Sequence, residues 1–209
     1  MRGEGRTGSV YSPIVIRKSP MVILGVDPGS RAAGYALVEV GEERDRERVL
    51  DAGTLRFDGS TPHALRLREI YCRLSEIVED APPDEGAVEM PVYGKNPQSM
   101  LKLGRAQAAA MLVLLNRDLP VSEYTPKEVK KSVTGGGNAG KHQVQQMVCS
   151  MLDLDAADLS YDASDALAVA LCHRHRHGSS SPAAGGAGAS GGHHDDWAAF
   201  AEAHPDRIG

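Results

Sequence analysis

The sequence predicts a mixed α/β domain with helices packed on a sheet. Three strand-like runs follow one another near the start, and helical and strand-like segments alternate after them. The composition then changes abruptly at Gly178, which limits the folded domain to residues 21–177 of the 209-residue chain.

The first strand is expected over 22–28 (VILGVDP), a short apolar run ending at Asp27. A second covers 34–40 (GYALVEV), and the Gly29-Ser30 turn between them suggests a hairpin. The third covers 50–57. Past the Thr61-Pro62 turn signal, Leu65, Leu67, Ile70, Leu74, Ile77 and Val78 recur at helical spacing. Pro82-Pro83 breaks that helix, and a fourth strand follows at about 86–90 (GAVEM). Residues 97–117 are rich in Ala and Leu and should form a long helix. A fifth strand lies near 120–124, with helices near 126–132 and 141–153 around a loop at Gly135-Gly136-Gly137. The last helix covers about 161–175.

An apolar share of 41% supports a real core, and with 4% aromatics that core must be built from Val, Leu, Ile and Ala. Cys72, Cys149 and Cys172 are odd in number, far apart and in no C-x-x-C pair, which argues against disulfides and structural zinc. The chain reads as one from a reducing cytoplasm. It has no apolar run near the ~18 residues of a membrane span. Residues 1–20 are expected to be a disordered extension, or to precede a true start at Met21. The net charge is −5, yet it is unevenly spread: residues 95–141 carry +5 and the rest carries −10. One basic stretch in an otherwise acidic chain is the footprint of a phosphate-binding face.

Four acidic residues stand out by position. Asp27 ends the first strand, Glu89 lies inside the apolar fourth strand, and Asp162 and Asp165 are three apart on the last helix. Asp27 before Pro-Gly also fits an ordinary turn, and Asp162 also fits a helix-start charge. Glu89 is harder to explain structurally, because an unpaired buried carboxylate is costly. Clustered carboxylates repel one another unless cations hold them, and Mg²⁺ or Mn²⁺ suit all-oxygen ligands. Two such ions ~3.5–4 Å apart can activate water and stabilise the leaving oxygen of a phosphodiester.

The motifs around these residues resemble a known family. Ile23-Leu24-Gly25-Val26-Asp27-Pro28-Gly29-Ser30-Arg31, then Gly34-Tyr35, is similar to the opening motif of RuvC-type Holliday junction resolvases. Ala87-Val88-Glu89, Gly94-Lys95-Asn96 and Leu101-Lys102-Leu103-Gly104-Arg105-Ala106 resemble their second motif. Asp162-Ala163-Ser164-Asp165-Ala166-Leu167-Ala168-Val169-Ala170 resembles their third. The resemblance runs from about 21 to 175 and implies an RNase H-like mixed five-stranded sheet flanked by helices. It further implies a homodimer, paired symmetric nicks across a four-way junction in recombination and repair, and work alongside a branch-migration complex. Asp27, Glu89, Asp162 and Asp165 are then the catalytic residues and the ligands of two Mg²⁺ or Mn²⁺ ions per site. Lys130 and Lys141 fall where the family keeps lysines facing the junction backbone, and Lys95, Lys102 and Arg105 share the same basic stretch.

After Glu89 the pattern departs from the family, which usually has a polar residue, then Val and one or two Phe. Here the residues are Met90-Pro91-Val92-Tyr93, and Tyr93 alone can stack on a base, or it serves packing. The departure bears on cut-site preference more than on catalysis.

The tail, 178–209, is a Gly/Ser/Ala-rich linker followed by an acidic-aromatic segment, Asp195-Asp196-Trp197-Ala198-Ala199-Phe200. That segment could dock on a partner or do nothing. His173, His175, His177, His193 and His194 could bind a transition metal, but they read as exposed tracts, which need no such site. Two other functions compete: an RNase H-like nuclease acting on RNA, and an actin- or sugar-kinase-like ATPase. The second needs two lobes, and this chain has room for one.

Overall fold

The computed structural model describes residues 20–41, 47–91 and 96–178. Five strands come in sequence order as β1 (Met21–Asp27), β2 (Ala32–Val40), β3 (Glu47–Arg56), β4 (Glu85–Glu89) and β5 (Val121–Tyr124). The helices are α1 (His63–Asp80), α2 (Pro97–Leu115), α3 (Pro126–Thr134), α4 (Lys141–Leu152) and α5 (Tyr161–Gly178). Each element expected from the sequence is present, with ends moved by a few residues.

The sheet order is β3-β2-β1-β4-β5. β1, β2 and β3 form an antiparallel meander, with a register shift at Leu37/Val38, while β4 and β5 add in parallel. β1 is central and covered on both faces, so it reads as a continuous apolar run. Its alternate residues divide between two cores. Leu24 and Val26 join Leu37, Ile70, Leu74, Val88, Val113 and Leu114 under α1 and α2. Ile23 joins Val38, Ala87, Val144, Val148 and Leu167 under α3, α4 and α5.

Local chemistry sets several element ends. The Asn96 side chain accepts the Gln98 and Ser99 amides before α2, with Pro97 at the first helical position. Thr125 and Glu128 form a capping box for α3, which Gly135 terminates at φ 75°. Ser160 starts α5: its Oγ accepts the Ala163 amide (3.2 Å) and exchanges a hydrogen bond with Thr54 Oγ1 (2.7 Å) on β3.

α5 lies unusually close to the sheet because small residues meet there. A Cβ at Gly25 would strike the Ala166 carbonyl and come 2.9 Å from Ala170 Cβ, and one at Gly34 would strike the Asp162 carbonyl. On α2, Ala106 and Ala110 are buried in the chain's own core. That burial follows from the Ala/Leu periodicity, which turns them toward β4 and α1. Leu101, Leu112 and Leu115 point outward.

Candidate active site

Asp27 and Glu89 each lie one residue beyond the parallel pair Val26↔Val88, at the ends of neighbouring strands. Adjacent strands are about 4.8 Å apart. Val26 and Val88 face α1 and α2. Side chains alternate along a strand, so Asp27 and Glu89 face α5. The first turn of α5 reaches this edge because Gly34, the antiparallel partner of Asp27, lets the Asp162 backbone touch β2. Asp165 follows one turn later. All four sequence-predicted carboxylates therefore converge at one edge of the sheet, each partly buried.

Their electrostatics reflect that crowding. Burial, followed by the Asp165 charge, pushes the Asp27 carboxyl up to about 6, while its hydrogen bond with Glu89 and Lys141 pull the other way. Glu89 is pushed up to about 8 by burial first and then by the charges of Asp27 and Asp165. Burial and mutual repulsion thus favour a shared proton between Asp27 and Glu89. Burial also raises Asp165, against the opposing pull of Lys141. Lys141 Nζ sits 3.3 Å from Asp165 Oδ2, and that carboxylate raises the lysine's own pKa. Lys130 on α3 acts on both Glu89 and Asp165.

The other predicted contacts are placed differently. Lys102 and Arg105 are exposed on α2. With Arg66 they lower the His63 pKa, an effect led by burial, and so form a separate basic patch near the start of α1. Tyr93 and Lys95 lie outside the described residues, as does the 178–209 tail beyond Gly178. Sequence reasoning missed Ser160 and Thr54, which fix where α5 begins and hence where Asp162 stands. A serine two residues before the first helical acid was the available signal.

A family model described as crossover junction endodeoxyribonuclease RuvC matches residues 23–173. The chain belongs to the RuvC family. Among its relatives is the crossover junction endodeoxyribonuclease RuvC of Salinibacter ruber, 53% identical over 188 residues, covering 90% of this chain and 99% of that protein. The Acinetobacter baumannii protein of the same description is 44% identical over 160 residues, 77% of this chain and 86% of its own. The structure of T. thermophilus RuvC in complex with a Holliday junction substrate matches with a TM-score of 0.70 and 30% identity, over 75% of this chain and 94% of that one. The yeast mitochondrial Holliday junction resolvase shares the fold, with a TM-score of 0.53 at 14% identity over 74% of this chain and 79% of its own.

RuvC membership makes the chain a nuclease and implies use of a divalent metal. The residues at the strand ends fit that requirement. Asp27, Glu89 and Asp165 offer oxygen donors only, and all three hold their protons more tightly than ordinary carboxyls. A hard divalent cation relieves such a cluster. Among the described residues, no helix is long and apolar enough to cross a membrane. All three cysteines are free thiols.

Proposed function

We propose that this chain resolves four-way (Holliday) DNA junctions by paired symmetric nicks, through metal-dependent phosphodiester hydrolysis. The observation that carries the reading is the meeting of Asp27, Glu89, Asp162 and Asp165 at one sheet edge, with Lys141 against Asp165. In this reading the enzyme acts as a homodimer in the cytoplasm, in recombination and repair, beside a branch-migration complex. The symmetry of a four-way junction favours two identical sites related by a two-fold axis.

Asp27, Glu89, Asp162 and Asp165 would hold the metal in this account, with Asp27 at the centre of the group, since it contacts Glu89 and feels both helix acids. Bound there, Mg²⁺ or Mn²⁺ supplies activation of the attacking water and stabilisation of the 3′ leaving oxygen. The chain's own residues prepare that event. Burial and the charges of Asp27 and Asp165 favour the protonated form of Glu89, a repulsion that a bound cation would offset. Lys130 and Lys141 offset the repulsion between those carboxylates and an incoming phosphate, and guide the backbone to the sheet edge. Ser160 and Gly34 fix the height of α5, which sets Asp162 and Asp165 relative to Asp27. Lys102 and Arg105 extend the phosphate contacts away from the cut, and Tyr93 and Lys95 are expected to add base and phosphate contacts.

The test offers the purified chain a synthetic four-way junction, a plain duplex and a structured RNA, each with and without Mg²⁺ or Mn²⁺. Paired symmetric nicks in the junction alone, requiring metal, are expected. Cutting of RNA but not of the junction would keep the site and transfer the function to an RNA nuclease.

A further inference from the structure

We propose that Glu85, His173 and His177 form a second metal site, for a borderline divalent ion of the zinc class, at the end of the sheet opposite the carboxylates. In sequence the alternation His173-Arg174-His175-Arg176-His177 looks like an exposed polar tract. The helix sorts it otherwise. Residues four apart share a helix face, so His173 and His177 stack one turn apart, with ring centroids 4.3 Å from each other. His173 is 1% exposed, while His175 turns away and bonds Ser132.

Glu85, the first residue of β4, brings its Oε2 to 2.7 Å from His173 Nε2. One donor atom from each of Glu85, His173 and His177 can be chosen so that all lie within 4.8 Å of one another. Tetrahedral zinc holds N and O donors at about 2.0–2.1 Å, which puts the donors about 3.4 Å apart. A small widening of the Glu85–His173 contact therefore admits the ion. Two imidazoles and one carboxylate select zinc, cobalt or nickel over magnesium. They also leave a fourth position for water.

A second feature supports the assignment. Tyr124 Oη lies 2.8 Å from His173 Nδ1, with the two rings edge-on at 5.8 Å. When Nε2 serves as ligand, the ring proton sits on Nδ1 and is donated to the Tyr124 oxygen, the outer-shell bond that orients metal-bound histidines. The site is distinct from the carboxylate cluster, because Glu85 and Glu89 are at opposite ends of β4, roughly 13 Å apart along the strand. An ion here ties the C-terminal half of α5 to β4, and α5 is the helix that carries Asp162 and Asp165.

The experiment uses the full chain with excess Mg²⁺ to occupy the oxygen-rich site, and titrates Co²⁺ as the probe. One Co²⁺ per chain, with the visible absorption of nitrogen-ligated tetrahedral cobalt and a raised melting temperature, is expected. His177→Ala should weaken binding at least tenfold, and Glu85→Gln should do likewise in a chain that melts normally without metal. Tyr124→Phe, which touches no ion, should weaken it roughly 10–100-fold. His175→Ala and alanines at His193 and His194 should leave it unchanged. The proposal is overturned by the absence of saturable binding, by unchanged binding in His177→Ala, or by loss in the His175, His193 or His194 variants instead.

Discussion

Gly34→Ala tests how the fold builds the site. The added methyl would strike the Asp162 carbonyl oxygen and lie 2.6 Å from its carbonyl carbon. Ordinary carbon–carbon contact is about 3.5–4.0 Å, so the start of α5 must retreat by roughly 1 Å. Overpacking of this kind costs about 1–3 kcal/mol. For a domain of this size that lowers the melting temperature by roughly 2–10 °C. The displacement matters more for activity, since Asp162 moves away from Asp27, and a 1 Å error in a catalytic group costs on the order of 100-fold. Gly104→Ala is the control. Gly104 lies inside α2, and nothing lies within 4 Å of where its Cβ would be. There the same substitution should stabilise by about 0.5–1 kcal/mol. Thermal melts and junction cleavage under saturating metal read both effects. Gly34→Ala with wild-type melting and wild-type cutting would refute the claim that this close approach positions the carboxylates.

The remaining expectations concern charge. Glu89 and Asp27 hold folded-state pKa values of about 8 and about 6, raised from 4.5 and 3.8. The folded, metal-free chain thus binds more protons than the unfolded chain between about pH 4 and pH 8, so stability falls as pH rises across that window and levels off above it. At about 1.4 kcal/mol per unit, Glu89→Gln should stabilise the chelator-treated protein by a few kcal/mol at pH 8, with the gain fading toward pH 4 in urea melts. Unchanged stability at pH 8 would show that Glu89 is not held in a costly site. Lys141→Met removes the cation that lowers Asp27 and Asp165. The acidic limb of the pH–rate profile should then move to higher pH, as a series of single-turnover rates would show. Replacing Lys102 or Arg105 with Gln should weaken junction binding about equally for all sequences and reduce the salt slope by about one, measured by titration at several ionic strengths.

Much of the architecture was legible because its signals are local. Period-two alternation, the Pro82-Pro83 break and the Ala/Leu helix placed every element within a few residues. Glu89 was legible as a candidate functional residue because a carboxylate inside Ala87-Val88-Glu89-Met90 has no structural excuse. What stayed hidden depends on contacts between distant segments. Gly25 and Gly34 read as features of a strand and a turn, and only the packing of α5 shows that they are landing points for Ala166 and Asp162. The pairing of Lys141 with Asp165, 24 residues apart, needs the connection after α4 to bring α5 back beside the start of α4. The composition of the His tract suggests exposure, while the 3.6-residue period buries His173 and turns His175 outward.

The most direct test of the central claim compares wild type with Asp27→Asn and Glu89→Gln on a four-way junction, measuring binding and metal-dependent nicking in the same samples. The account predicts junction affinity near wild type in both variants, with paired nicking abolished at every Mg²⁺ or Mn²⁺ concentration. Nicking by either variant at close to the wild-type rate would contradict it.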